Sequence, residues 1–389
     1  MEIVMERVIH DDLFEMIKLS LWGSGNPTVT ESLFTEMELH AISALPGSVL
    51  ASLDVPAELL PRWKIAVLRQ VAFNVSYESV QSYLPVQAPY VVLKGTAAAQ
   101  YYPHPEYRAQ GDIDIMTRRE DFERACHELE ENGWKETTSG VDLERGRHRS
   151  FQKGNVVVEN HAFFASMNDP VKAKTFDDLI LENITENHIL PDMINGLVLI
   201  DHVNQHLEEG IGLRQIIDWM MFVDKCLKND TDWYRFKELA EKTGLMTLSV
   251  TTTRMCEIYL GLSEHEWCSH SDEKLCRSLM DYVMKSGNFG NKKEKTEKLA
   301  IERMGRLRHP FEAVKELQKL GRENWKLGNK PVLRRFAWMW QGIHFLKETP
   351  QYKEGYKEAK RLSAMFDALG VKRIEDGLVY YIDGEYVRK

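Results

Sequence analysis

A chain of 389 residues has room for two or three folded units at roughly 150 residues each, which excludes a peptide or a disulfide-stapled mini-protein. Its 50 basic and 59 acidic residues leave a formal charge of −9, the wrong sign for a protein that coats nucleic acid. With 43% hydrophobic and 28% charged residues it has a globular composition, neither disordered nor membrane-embedded.

No uncharged apolar run approaches the ~20 residues that span a bilayer. The start, Met1-Glu2-Ile3-Val4-Met5-Glu6-Arg7, lacks the basic region and apolar stretch of a secretion signal. Cys126, Cys226, Cys256, Cys268 and Cys276 are odd in number and scattered, unlike a disulfide framework or a zinc knuckle. A cytoplasmic protein with reduced thiols and no membrane partner is expected.

From Asp11 to about Leu84, apolar residues recur at three and four (Leu13, Met16, Ile17, Leu21, then Ile65, Leu68, Val71, Ala72, Val75). That spacing predicts helices, broken at Gly23-Ser24-Gly25-Asn26-Pro27 and at Pro46-Gly47. Tyr90 to Leu93 predicts a short strand ended by Lys94-Gly95, Thr96 to Tyr102 an Ala-rich helical turn, and Gly111 to Met116 an alternating strand after the Pro103-His104-Pro105 break. Asp121 to Gly133 follows as a helix with Phe122, Ala125 and Leu129 on one side and Gly133 as its stop. Trp134 to Thr138 and Phe151 to Phe164 predict further strands. From Ile194 helical spacing dominates, in Leu197 to Leu207, Leu213 to Leu227, and through Phe236, Leu239, Leu245 and Leu248. Gly287 to Asn291 predicts a loop opening into a solvated helix at Lys292-Lys293-Glu294-Lys295, and Leu378 to Val387 a hairpin around Asp383-Gly384. The expected architecture is α+β: a helical segment over 1–85, a small mixed-sheet core over 86–190 and a larger helical region over 191–389.

The sharpest chemical feature is Gly111-Asp112-Ile113-Asp114-Ile115. Side chains alternate along a strand, so the two aspartates emerge on one face while the isoleucines enter the core. Paired carboxylates repel unless a cation lies between them, and Mg²⁺ or Mn²⁺, completed by substrate phosphates, is the usual solution. A solvated edge strand is the plainer alternative. Upstream, Lys94-Gly95-Thr96 ends a strand and opens a helix, offering backbone N–H groups, a hydroxyl and an ammonium to a polyphosphate; the alternative is an ordinary helix entry with a surface lysine. A site holding two metals wants a third acid. Glu159 is the candidate, at the end of Val156-Val157-Val158 and on one face with His161; a cross-strand ion pair is the alternative for Glu159, and a hydrogen bond without catalytic duty for His161.

These residues resemble the polymerase-β-like nucleotidyltransferase superfamily. Within it they are similar to uncharacterised bacterial members with an L-K-G, Y-x-P, R-x-x-G-D-I-D-I pattern, here Leu93-Lys94-Gly95, Tyr101-Tyr102-Pro103 and Arg108 to Ile115. The match spans about Val91 to Phe164, with Thr96 where the superfamily has Gly or Ser. Gly212 to Asp218 and Gly287-Asn288-Phe289-Gly290 look like further family signatures.

The resemblance implies that Asp112 and Asp114 ligate metal, and that Glu159 joins them or takes the proton of an acceptor hydroxyl. It further implies that Lys94, Gly95, Thr96, Arg108, Gly111 and Arg214 bind the nucleotide. Local alternatives are an Arg108 pair with Glu106 or Asp112 and an intrahelical Arg214–Asp218 pair. The implied activity moves a nucleoside monophosphate from an NTP to a hydroxyl, with a small molecule favoured over a protein or RNA end. The alternative is a catalytically silent nucleotide-binding regulatory module.

His202 and His206 share a helix face, but no Glu follows the first histidine and no third ligand is evident, so a face lining the cleft or a polar packing layer is expected. Lys326, Lys330, Arg334, Arg335, Phe336, Trp338, Trp340 and Phe345 are expected to form an aromatic core face and a solvated cationic one, not a nucleic-acid surface.

Overall fold

The computed structural model describes residues 2–138, 146–207 and 209–292, and beyond them 318, 322, 336–339, 352–371, 379–382 and 384–388. The chain divides into two compact units, 1–292 with 369–371 and 378–389, and 293–368 with 372–377. Among the described residues no helix is long and apolar enough to cross a membrane.

In the first unit, α1 (Glu2–Trp22) and α2 (Glu31–Leu39) are separated by the predicted Gly23–Pro27 break. Thr30 caps α2, its hydroxyl accepting from the Leu33 N–H at 3.1 Å. Pro61 opens the long α3 (Leu60–Ser82), whose missing N–H costs nothing in a first turn.

The sheet comprises β1 (Tyr90–Leu93), β2 (Ile113–Thr117), β3 (Lys135–Glu136), β4 (His148–Lys153) and β5 (Val156–His161). Their order is β1-β2-β5-β4-β3. Only β2 and β5 run parallel; the other neighbours are antiparallel. One face packs Val92, Ile113, Ile115, Phe151 and Val158 against Tyr77 of α3 and Ala125, Cys126 and Leu129 of α5 (Phe122–Glu131). Alternation then sends Asp114, Glu159 and His161 to the opposite face. The outer edge of β1 is covered by His188, whose carbonyl accepts from Val92 N–H at 3.0 Å and whose ring stacks on Tyr90 at 3.8 Å.

One strand expectation requires correction. Phe151 to Phe164 is not one strand: Gly154 (φ +61) and Asn155 form a two-residue hairpin loop, with Lys153 opposite Val156. The glycine supplies the positive φ that such a loop demands. The following α6 (Pro170–Leu181) escaped periodicity altogether, although Asp169 caps it by accepting from Val171 and Lys172 N–H and Pro170 stands at its first position.

Helices α7 (Asp192–His206), α8 (Leu213–Cys226), α9 (Asp230–Thr243), α10 (Met246–Leu260) and α11 (Glu273–Ser286) complete this unit. Trp219, Met220, Met221, Phe222 and Val223 of α8 are all buried, as befits a helix surrounded by others. The hairpin of β6 (Val379–Ile382) and β7 (Glu385–Arg388) docks through Tyr386, whose hydroxyl bonds Asp177 and accepts from Arg119 at 2.9 Å. In the second unit, α12 (Tyr352–Leu369) buries Leu362, Met365 and Phe366. Of the basic aromatic stretch only Phe336 and Trp338 are described; Phe336 is exposed, contrary to the core expectation, and Trp338 is partly buried. The remainder of that stretch, and Lys293 to Lys295, lie outside the described residues.

Close helix packing depends on Gly196, where a Cβ would stand 2.2 Å from the buried Phe222 ring. Gly196→Ala should therefore cost about 1–3 kcal/mol, read as a lower urea midpoint at unchanged slope.

Candidate active site

The site begins where β1 ends. Lys94 (φ +56) and Gly95 (φ +42) both take left-handed backbone as the chain turns into α4 (Gly95–Ala99). That conformation is natural for glycine and strained for lysine. Lys94 is held in it by a buried ion pair, Nζ 2.8 Å from Asp114 Oδ1, and by the Phe164 ring, 5.2 Å away. The lysine is thus not a surface residue.

The β2–β5 register sets Asp114 directly beside Glu159. Asp112 sits in the bend just before β2, exposed, and one oxygen from each of Asp112, Asp114 and Glu159 lies within 4.8 Å of the others. A Cβ at neighbouring Gly111 would meet nothing within 4 Å, so the approach to Asp112 is open. Across the β4–β5 hairpin, His148 opposes His161 and Ser150 opposes Glu159. Ser150 Oγ donates to Glu159 Oε1 at 3.3 Å, His148 Nε2 is 3.5 Å from the same oxygen, and His161 Nε2 is 3.7 Å from Glu159 Oε2. His161 Nε2 also lies 2.9 Å from Asp114 Oδ1; bonding to an acceptor carboxylate places the imidazole proton on that nitrogen.

Burial, then the charges of Asp114 and Asp112, push the Glu159 carboxyl up to about 8, against smaller opposing effects of Lys94 and Ser150. For Lys94, burial works against the charged form, but Asp114, Asp112 and Glu159 outweigh it and the ammonium is held above its usual range. Burial, with the nearby charges of His148, Lys94 and Arg147, keeps His161 neutral. The site is therefore richer in negative charge than one lysine can neutralise.

The three carboxylates form a set suited to a hard divalent cation. His148, Glu159 and His161 form a second group whose ligand atoms lie within 4.8 Å of one another, sharing Glu159 with the first.

Three expected nucleotide contacts stand differently. Arg108 is buried against Asp218 of α8, with Nε–Oδ1 2.9 Å and Nη2–Oδ2 2.6 Å, and Tyr102 donates to the same carboxylate at 2.7 Å. Neither Glu106 nor Asp112 is its partner, and its fork is committed to protein. Asn74 of α3 donates to the Arg108 carbonyl at 2.8 Å, so the loop leading to Asp112 is anchored on two helices. Thr96 donates its hydroxyl to Gln81 at 2.9 Å, which leaves only its lone pairs for a ligand. With Asp218 taken, Arg214 makes no ion pair among the described residues; its Nη1 reaches the Ala109 carbonyl at 3.4 Å. His202 and His206 pack edge to face at 4.8 Å, buried, and belong to neither metal-capable group.

Sequence reasoning missed His148 and Ser150, and it singled out Tyr102 and Asp218 without disclosing that they are the partners of Arg108. The first two were findable once Gly154-Asn155 was recognised as a turn, because that loop fixes which β4 residues oppose Glu159 and His161.

Residues 31–261 match the model of a family described as uncharacterised nucleotidyltransferase, and the chain belongs to that family. No curated protein and no solved structure matches it.

Two outcomes follow from the electrostatics. Because the folded Glu159 pKa lies above the usual 4.5, its contribution to stability is fully present below about 4.5 and lost as pH rises through about 8. The stability of the metal-free protein minus that of Glu159→Gln should fall across this window in parallel denaturation series. Separately, Arg108→Leu strands the buried Asp218 carboxylate and should cost about 3–5 kcal/mol, with part of the loss recovered in Arg108→Leu/Asp218→Leu.

Proposed function

We propose that the protein transfers a nucleoside monophosphate from an NTP to a hydroxyl on a small-molecule acceptor, assisted by Mg²⁺ or Mn²⁺. The observation that carries this reading is the convergence of Asp112, Asp114 and Glu159 from the bend before β2 and from two parallel strands, beside the Lys94-Gly95 turn. Asp112 and Asp114 would hold the cation, with Glu159 either completing the set or taking the acceptor's proton. In the metal-free protein, burial and the charges of Asp114 and Asp112 raise the Glu159 carboxyl, which strengthens it as a proton acceptor. When bound, a divalent ion supplies charge neutralisation at the α-phosphoryl group and the leaving pyrophosphate.

In the transfer itself, the acceptor oxygen bonds to the α-phosphorus as the bond to pyrophosphate breaks, and the hydroxyl proton leaves to a base. Lys94 and Arg214 bring positive charge to the phosphates, and the left-handed Lys94-Gly95 turn allows close backbone approach. Arg108 acts through Asp218 and Tyr102, fixing the loop that presents Asp112. The protein's net charge of −9 favours a small acceptor over nucleic acid.

A second reading, the silent nucleotide-binding module, is favoured by the Lys94–Asp114 pair and the Thr96–Gln81 bond, which satisfy within the protein groups that catalysis would use.

Incubation with NTPs labelled at the α-phosphate, Mg²⁺ and a panel of hydroxyl acceptors separates the two. Transferred label and pyrophosphate that fall about 100-fold or more in Asp112→Asn and Asp114→Asn support the enzyme. Metal-dependent NTP binding with no transfer to any acceptor supports the module.

A further inference from the structure

Phe289 lies in the single helical turn after α11, between Gly287 and Gly290, with φ +53 and ψ +33. This is left-handed backbone in an aromatic residue, uncommon enough to require over-determination by its surroundings. The surroundings supply it. A Cβ at Gly212 would stand 2.9 Å from the Asn288 backbone, and Gln215 donates to Asn288 Oδ1 at 3.1 Å. On the other side Asn291 donates to the Leu39 carbonyl at 2.9 Å, and Lys292 pairs with Glu36 at 2.7 Å.

This pinning does not serve burial of the ring, which is 45% exposed. The strained backbone therefore holds a residue that stays accessible. His206 meets the ring edge to face at 4.9 Å, and the Arg214 guanidinium lies 5.6 Å from its centroid. Arg214 in turn reaches the Ala109 carbonyl in the loop that ends at Asp112, and among the described residues its Nε has no hydrogen-bond partner. The exposed ring and the Arg214 guanidinium therefore stand together, and Arg214 touches the loop that leads to the acidic site.

We infer that Phe289 is a stacking platform for the nucleobase of the NTP, with Arg214 between ring and phosphates. The inference rests on the nucleotidyl-transfer reading and adds to it the base subsite. An aromatic face held without conformational freedom gains stacking energy at little ordering cost. Stacking also tolerates any of the four bases, since each offers a π-face.

The test is equilibrium binding, with Mg²⁺, of α,β-methylene analogues of ATP, GTP, CTP and UTP, alongside inorganic tripolyphosphate. Phe289→Ala should weaken the nucleotide analogues about tenfold and leave tripolyphosphate unchanged, whereas Phe289→Trp should bind them as the parent protein does. Phe289→Gly, which fits the left-handed backbone without strain, should raise the melting temperature while losing the same affinity, separating a binding role from a structural one. Nucleotide binding by Phe289→Ala equal to that of the parent, or an equal loss of nucleotide and tripolyphosphate, overturns the subsite alone. Failure of the parent protein to bind any of the four analogues overturns the nucleotidyl-transfer reading and the subsite with it.

Discussion

Three carboxylates can share the end of a sheet only where positive charge sits among them, and the pair between Lys94 and Asp114 is where this protein meets that requirement. At 2.8 Å and out of solvent, the pair holds the lysine in left-handed backbone, and that backbone bends β1 into α4. The compensation is partial. Burial first, and then the charges of Asp114 and Asp112, push Glu159 up to about 8 against the opposing lysine, and a site that keeps unneutralised carboxylates is poised to gain from a further cation. The same interaction thus shapes the turn and leaves the site receptive.

A second constraint ties this chemistry to the helices. Arg108, Tyr102 and Asp218 satisfy one another in the interior, and Asn74 holds the Arg108 backbone from α3. Buried charge is tolerated there because the arginine fork meets both carboxylate oxygens and a hydroxyl donor adds a third bond. Asp112 therefore emerges from a loop anchored to α3 and α8, although it is itself exposed.

How much of this was legible in the chain differs by the range of the interaction. Alternation in Gly111 to Met116 and the valine run before Glu159 disclosed which side chains share a face, because strand geometry is local. The acidic set followed from those two segments. The partners of Arg108 and Thr96 did not: Asp218 lies 110 residues from Arg108, and the nearer carboxylates Glu106 and Asp112 were equally good candidates on spacing. Gln81 likewise carries no mark that it would take the Thr96 hydroxyl. The β4–β5 hairpin was hidden inside one apolar stretch because Gly154-Asn155 is as short as a turn can be. Helix α6 was announced only by Asp169-Pro170, a capping signal that apolar spacing does not register. In Phe289 the backbone angle itself carries information that no residue type reveals.

The edge of β1 bears on how copies of this protein behave together in solution. A rim of unpaired peptide groups on a short apolar strand invites neighbouring molecules to add strands of their own. Here the carbonyl of His188 occupies the Val92 amide and its imidazole lies flat over Tyr90. Along β1, the seam that would otherwise nucleate intermolecular zippering is closed from within the same chain.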